Sequence, residues 1–364
     1  MEDHTQNKKH RLGSLFHLLF SFIVGLYIAA LAVYLLLRAL FGDRFWWLSL
    51  VNTFAYFVFL PLLVLLPAAL VFKMRRNALR LIPVALIGGL WLAPYYLPRS
   101  PNASILAGQT LRALTFNVWG NNQHMDDVET WIRNSGADVV MLQEITPQHT
   151  QDVLPRLYER YPYHYDQEDT HHWNGTANYN TTLSRYPIVS IEEVNLGTPD
   201  TSNPVRIVLD VNGQKVAVYN VHMAWPGSKP RFALPARLNS YYTRVLLGYN
   251  DKLRNAQISS LLDHLKTEPY PHIVAGDFNT SDQTPTYNLL ASHLHDSFRE
   301  GGSGLGGSWP VSSARGLPGF IPPLIRIDYI WHSDSFQTVD AQQGPPLGSD
   351  HLALLATLAL LPNT

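Results

Sequence analysis

The chain has 364 residues, and only 15% of them are charged, against about 25% in an ordinary soluble domain. With 46% hydrophobic residues it can bury a core, which excludes a wholly disordered or low-complexity chain. It has no cysteine, which excludes disulfide scaffolds and thiolate metal sites and suits an extracytoplasmic setting.

The net charge of −1 conceals an asymmetry. Residues 1–97 carry 9 Lys/Arg and 3 Asp/Glu, a net of +6, whereas residues 98–364 carry 18 and 25, a net of −7. The N-terminal part holds three runs without Asp, Glu, Lys or Arg: Leu15–Leu37, Phe45–Phe72 and Leu81–Pro98. A bilayer core takes about 20 apolar residues of helix. The first two runs are long enough to span. The third is shorter and contains Pro83, Gly88, Gly89 and Pro94, so it reads as a third span or as a re-entrant segment. Lys8, Lys9 and Arg11 precede the first run, and Lys73, Arg75, Arg76 and Arg80 separate the second from the third. Positive residues stay on the cytoplasmic side. The expected layout is a multi-pass protein of the cell (inner) membrane. Its N-terminus is cytoplasmic, it crosses three times, and everything after Leu97 is extracytoplasmic. If the third run does not cross, the large domain is cytoplasmic instead.

After a polar linker, short apolar runs alternate with amphipathic stretches. Leu111–Trp119 and Asp138–Glu144 read as strands, Asp126–Asn134 as a helix, and Pro147–Tyr158 as a helix with proline in its first turn. Val205–Val211 and Lys215–Val221 flank Asn212-Gly213, a hairpin signal. Leu253–Leu265 reads as a helix, and His272–Ala275, Arg326–Trp331 and Leu352–Leu360 as strands. Gly301–Pro323 is rich in Gly, Ser and Pro and reads as a long loop. This pattern predicts two packed mixed sheets flanked by helices.

The polar residues that carry chemistry close the apolar runs. Asn117 ends LTFN, Glu144 ends VVMLQE, His222 ends VAVYNVH, and Asp277 and Asn279 end IVAGDFN. Asp328 lies in RIDYIW, and Asp350 and His351 form SDH before the last strand. Singly, an Asn or Asp closing a strand is more often a turn former than a ligand. Placed on neighbouring strands of one sheet, however, these termini would converge into a single cluster. Their hard oxygen donors suit Mg²⁺, with Mn²⁺ or Ca²⁺ as alternatives, and two histidines beside them can move protons or stabilise anionic oxygens. His171-His172 reads as an exposed loop pair, and His293 and His295 as solvated.

LTFNVW, LQEI, NVHM, GDFN, RIDYI and SDH, in this order, resemble the endonuclease/exonuclease/phosphatase superfamily. SRYPI from Ser184, Arg254-Asn-Ala-Gln257 and Ser308-Trp309-Pro310 fit the same pattern. The resemblance covers about residues 110–360. It implies a four-layer α/β sandwich, preceded here by an all-α transmembrane anchor, and a divalent-metal-dependent phosphoesterase. The implied division is an anchor at 1–98, a linker at 99–109 and a catalytic domain at 110–364. Carried over by motif, Glu144 binds Mg²⁺, with Asn117 and Asp350 completing or supporting the metal site. Asp277 and Asn279 orient the attacking water and a phosphate oxygen. His351, held by Asp328, acts as general base or binds phosphate, and His222 stabilises the pentacovalent state or protonates the leaving oxygen. The resemblance leaves open which group deprotonates water.

It also leaves the substrate open, because members cleave nucleic acids, inositol phosphates, sphingomyelin and lipid pyrophosphates. The net −7 of residues 98–364 leans away from a nucleic-acid duplex, which calls for a basic face. A bilayer tether presents lipid headgroups at high effective concentration. The insertion Ala224–Asn250 mixes Lys229, Arg231, Arg237 and Arg244 with Trp225, Phe232, Tyr241 and Tyr242. That mixture suits a phospholipid or polyprenyl pyrophosphate at an interface. The expected partners are the lipid bilayer and a phosphoester, with no protein partner inferred. The alternatives are a membrane-tethered nuclease and an inactive receptor or scaffold; the complete set of six motifs argues against the latter.

Overall fold

The three apolar runs all fold as helix, but their continuity differs from the expectation. The computed structural model describes residues 2–97, 109–173, 176–198, 203–227, 241–311, 313–316 and 318–362. Within these, the side chains of 2–12, 168–179, 241–242 and 244–245 are not described. The chain divides into two compact units, Met1–Leu97 and Pro98–Thr364. The linker expected at 99–109 lies, but for Gln109, outside the described residues.

In the first unit α1 (Glu2–Phe41) contains an apolar stretch from Gly13 to Phe41 long enough to cross a bilayer. The second run is broken into α2 (Trp46–Thr53), a 3-10 turn at Ala55–Phe59 and α3 (Leu62–Val71), with a bend of 75°. Pro61, the N-cap of α3, has no N–H with which to continue the ladder, so the helix restarts there. The third run, expected to be the weakest, is the continuous helix α4 (Arg75–Tyr96), which passes through Pro83 and Pro94. Its glycines are not breaks. A Cβ on Gly88 would lie 2.9 Å from the Phe59 ring, so the small residue admits the aromatic between helices.

Paired polar groups link the helices at two levels. At the C-terminal end of α1, Tyr34 and Arg38 donate to Asn52 Oδ1 at 3.0 and 3.1 Å. Asn52 Nδ2 donates to the Gly42 carbonyl and to Asp43. The Arg38 guanidinium lies 5.0 Å from the centre of a Trp91 ring. Towards the other end, Asn77 donates to Ser21 at 2.9 Å, and the Phe72 ring packs edge-on against Phe16.

The second unit holds two six-stranded sheets. The first comprises β1 (Thr110–Asn117), β2 (Val139–Ile145), β3 (Tyr163–Trp173), β4 (Thr176–Ser184), β11 (Phe336–Gln343) and β12 (Leu354–Leu360), in the order β11-β12-β1-β2-β4-β3. The second comprises β5 (Ile188–Glu193), β6 (Val205–Val211), β7 (Gln214–His222), β8 (His272–Asp277), β9 (His295–Asp296) and β10 (Asp328–His332), in the order β5-β6-β7-β8-β10-β9.

Alternation along the strands builds the layers. Leu111, Ala113, Val139 and Met141 face Ile207, Val218, Ile273 and Ile330 across the central core. Their neighbours Leu114, Phe116, Val140 and Leu142 pack outward on α5 (Met125–Ser135) through Val128 and Ile132. On the far side, Tyr219, Val274, Tyr329 and Trp331 pack on α8 (Lys252–Leu265) through Ile258, Leu261 and Leu262. Burial on both faces explains why these strands read as unbroken apolar runs. The result is the four-layer α/β sandwich.

The hairpin at Asn212-Gly213 forms, with both residues at positive φ. The helix expected over Pro147–Tyr158 is shorter. α6 (Pro147–Asp152) ends early and a 3-10 turn follows over Leu154–Leu157, because Pro155 cannot donate to a continuing helix. His171 and His172 lie in β3, where their side chains are outside the described residues.

At the edge of the second sheet, α10 (Ser297–Gly301) brings Glu300 between His332 and His295, at 3.0 Å from each. His295 also reaches Asp334 at 2.8 Å, so it is paired, not simply solvated. Burial works to raise the Glu300 carboxyl, but the hydrogen bond and charge of His332, with His295, outweigh it and hold the pKa at about 2. A depressed carboxylate stabilises the fold fully above its unfolded value of 4.5, and this contribution is lost as pH falls towards about 2. The Glu300→Gln variant should therefore melt below the wild type at pH 6, with the difference closing between pH 4.5 and 2. Thermal melts of the solubilised protein measure this. A gap independent of pH would show that the charge on Glu300 contributes nothing.

Candidate active site

Strand register assembles the site. Parallel pairing of β7 with β8 sets His222 beside Asp277, and antiparallel pairing of β8 with β10 sets Asp277 beside Asp328. In the other sheet, β1 and β2 pair Asn117 with Gln143, so Glu144 follows at the same end. The Ser349–His351 turn precedes β12, whose Leu354 pairs with Thr115 at that same end of β1. All eight residues singled out in the sequence therefore lie at one edge of the sandwich.

The backbone there is strained into place. Trp119, Glu144 and Asn279 have φ of 61°, 58° and 50°, a region that Asn tolerates but Trp and Glu rarely adopt. Gly276 has φ 148°, and a Cβ on it would fall 1.8 Å from the Val221 carbonyl oxygen. Only glycine lets β8 approach β7 this closely beside Asp277.

Asp277 is the hub. Its Oδ1 accepts the Asn279 N–H at 2.8 Å. Its Oδ2 accepts from the side-chain amides of Asn117 at 3.1 Å and Asn279 at 3.3 Å. The Nε2 atoms of His222 and His351 lie 3.7 and 3.8 Å from that same oxygen. Burial pushes the Asp277 carboxyl above the ordinary carboxylate range, and His351 only partly opposes it.

His351 and Asp328 form a buried dyad, Nδ1 to Oδ2 at 2.9 Å. Burial works against charge on His351, but Asp328, Asp350 and Asp277 outweigh it and raise its pKa to about 10. At neutral pH the ring is thus an imidazolium, with Nε2 directed at Asp277.

Glu144 and His222 form the more open side. Glu144 Oε1 accepts from Asn117 at 2.9 Å, and Oε2 accepts from the Gly120 N–H at 3.3 Å. His222 Nε2 lies 3.9 Å from Glu144 Oε1. Asn117 Nδ2 therefore bridges Glu144 and Asp277, while its oxygen accepts the Trp119 N–H. In this geometry Asn117 braces two carboxylates and turns no acceptor towards them. Asp350 is held as well: its Oδ2 accepts from Trp309 Nε1 at 3.0 Å and from Arg315 Nε at 2.8 Å. Its Oδ1 lies 4.0 Å from His351 Nε2.

Several supporting residues were legible only as part of longer motifs. Arg254 donates to the Asn279 carbonyl at 2.7 Å, and Gln257 accepts the Ala224 N–H, so one face of α8 fixes the exits of both β8 and β7. Ser308 accepts the N–H groups of Ile327 and Asp328. Ser349 donates to the Asn117 carbonyl and accepts the His351 N–H, tying the approach to β12 to the end of β1 in the first sheet. Arg315, whose guanidinium also lies 5.2 Å from the centre of a Trp119 ring, was not singled out. Its signal was available, because it is the only charged residue between Glu300 and Arg326. Of the Ala224–Asn250 insertion, 228–240 lie outside the described residues, so Lys229, Arg231, Phe232 and Arg237 have no described place, and neither does the Arg244 side chain.

The donor set fits a divalent cation. Carboxylate oxygens of Asp277 and Asp328 lie within 4.8 Å of one another beside His351; the two carboxylates are the donors there, because a protonated ring has no lone pair to offer. Asp328 Oδ1 is buried without a hydrogen-bond partner, and an orphaned buried carboxylate oxygen is costly unless a cation or water satisfies it.

Two mixed sheets with acids, amides and two histidines gathered at one edge define a phosphoesterase-type catalytic domain. The chain belongs to the Endonuclease/Exonuclease/phosphatase family, whose model matches residues 114–351. It is accordingly a phosphoester hydrolase of a family that works with divalent metal ions. Among solved structures it resembles an endonuclease/exonuclease/phosphatase from Beutenbergia cavernae (22% identity, 70% of this chain and 72% of that one, TM-score 0.53). It also resembles one from Bacteroides vulgatus (17%, 69% and 99%, TM-score 0.54). TDP2 from C. elegans shares the fold at 15% identity, over 69% of this chain and 75% of that one, with a TM-score of 0.51. No curated protein matches the sequence.

The dyad yields a kinetic test. His351→Ala should lower the rate about 10²–10⁴-fold, the usual cost of a proton-transfer or charge-stabilising group. Asp328→Asn should cost less, since it disturbs only the orientation and charge of the ring. The double variant should fall little below His351→Ala alone, because groups acting as a unit are non-additive. Steady-state rates of the three variants decide it, and full additivity would dissolve the dyad.

Proposed function

We propose that the protein is a membrane-anchored enzyme that hydrolyses a phosphodiester or pyrophosphate bond in a membrane lipid on the extracytoplasmic side. The observation that carries this reading is the path of the first unit. Phe72 packs against Phe16 near one end of the apolar part of α1, and Trp91 lies by Arg38 near the other. The 22 residues from Phe16 to Arg38 rise about 33 Å at 1.5 Å per residue, the thickness of a bilayer core. The bent α2–α3 pair runs from the Arg38 end towards the Phe16 end, which favours a broken span over a re-entrant loop. On this reading the chain crosses three times. With Lys8, Lys9, Arg11, Lys73, Arg75, Arg76 and Arg80 all near one face, the positive-inside rule assigns the catalytic unit to the other.

The side chains then have defined work. His351, an imidazolium fixed by Asp328, offers its Nε2–H to a phosphate oxygen. Asp277, with a raised carboxyl and Asn279 beside it, orients the attacking water and takes its proton. His222, at the open side, serves the leaving oxygen. Glu144, with Asp277 next to it, would hold the cation, and Mg²⁺ is the hard ion that such oxygens suit, ahead of Mn²⁺ or Ca²⁺. Asp350, with one oxygen committed to Arg315 and Trp309, supports the site through its charge on His351. Bound metal supplies neutralisation of the charge that builds on the phosphate oxygens.

Full-length protein in proteoliposomes should hydrolyse a phospholipid, sphingomyelin or polyprenyl pyrophosphate with Mg²⁺, lose that activity in excess chelator, and leave plasmid DNA and RNA uncut. Nucleic-acid cleavage without lipid turnover would overturn the substrate class in favour of a tethered nuclease. Topology has its own measurement: a reporter fused after Thr364 should show export-dependent activity, whereas a signal confined to the cytoplasm would overturn the three-crossing layout.

A further inference from the structure

The chain between the Trp309-Pro310 dipeptide and Ile325 leaves the active-site edge and returns to it. Its two ends are clamped together: Trp309 and Ile325 form an isolated bridge, the Leu324 N–H donates to the Trp309 carbonyl, and the Val311 N–H donates to the Asp350 carbonyl. At its base Arg315 is bonded to Asp350. At its tip the Ile321 N–H donates to the Pro318 carbonyl at 2.9 Å, a tight turn that thrusts Phe320 outward.

Phe320 is 86% exposed, and the next most exposed large apolar side chain described in the second unit is Leu246 at 53%. Single exposed apolar residues are ordinary, but this one is not isolated. Pro318, Gly319 and Pro322 beside it are also exposed, and Gly316–Ile325 contains no charged residue. A catalytic domain of net −7 thus carries, next to its active site, an uncharged apolar projection. The same chain carries helices long and apolar enough to cross a bilayer.

We propose that this loop is a bilayer-docking element: Phe320 and its flanking prolines seat in the interfacial region of the membrane. Because the base of the loop is bonded to Asp350, seating the tip holds the catalytic edge at the level of lipid phosphates. The contact is apolar, with no basic residue at the tip, so it is insensitive to salt and to anionic lipid. The inference rests on the lipid-substrate reading for its purpose, but the contact itself can be measured independently of turnover.

The absence of cysteine makes a site-specific probe direct. Phe320→Cys in the full-length protein is labelled with a polarity-sensitive fluorophore in phosphatidylcholine proteoliposomes. Asp334→Cys is the control, because Asp334 is fully exposed beyond the far end of β10 from Asp328. Label at 320 should shift to the blue on transfer from detergent micelles to vesicles and be quenched by lipids brominated near the headgroup, at low and high salt alike, whereas label at 334 should do neither. In parallel, Phe320→Ser should slow hydrolysis of vesicle lipid about tenfold, on the scale of one lost apolar anchor. It should leave a water-soluble aryl phosphodiester within about twofold, and Phe320→Trp should retain the wild-type ratio.

A water-exposed label at 320 in vesicles that still turn over lipid would overturn the docking element and leave the lipid-substrate reading standing. Equal loss on both substrates for Phe320→Ser would make the loop a part of the catalytic framework and also overturn it. A blue shift without lipid quenching that grows with protein-to-lipid ratio would assign the tip to a second copy of the chain instead. Clear quenching without turnover of any lipid would support the docking element while removing the lipid as substrate.

Discussion

Burying the carboxylate of Asp277 at the end of a central strand is the constraint on which the rest of this enzyme depends. A carboxylate removed from water is costly unless hydrogen bonds and opposite charge surround it. Here two side-chain amides, one backbone N–H and two imidazoles converge on it from both sheets. Each is held by further bonds of its own. The site is therefore a set of groups that need one another's charge, and a divalent cation would complete the balance. The same logic explains His351: three neighbouring acids keep its ring protonated in spite of burial.

The scaffold supplies what this charge cluster needs, which is proximity without freedom. Parallel β7–β8 and antiparallel β8–β10 pairing fixes His222, Asp277 and Asp328 side by side, and the central apolar core holds the second sheet against the first. A shift of one residue in any of these registers would turn a functional side chain away from the edge. Positive φ at Trp119, Glu144 and Asn279 shows where the backbone is bent to aim those groups.

Much of this was legible in the sequence because function sits where apolar runs end. The strands ending at Asn117, His222 and Asp277 are buried on both faces, so their runs and their polar terminators stand out. The β3–β4 hairpin is harder to read. Asn174-Gly175 between the two strands is a two-residue turn signal, but Tyr163–Trp173 and Thr176–Ser184 are largely polar and show no apolar alternation to flank it. Among the apolar helices, continuity depends on tertiary contact more than on composition: the second run bends by 75° between Thr53 and Ala55, where neither proline nor glycine marks it, whereas Gly88 in the third is a packing surface for Phe59. Arg315 escaped because a Gly- and Ser-rich loop gives no periodicity from which to infer where a side chain points.

The insertion after His222 is entered and left through a closed neck. Gly227 bridges Tyr249, and the Asn250 N–H donates to the Pro226 carbonyl at 2.7 Å. Beyond that neck, Gln257 and Arg254 secure the strand exits separately. A segment tied off in this way can change length or side chains without altering the separation of His222 and Asp277. That segment can then diverge while the hydrolytic chemistry is inherited intact by the rest of the domain.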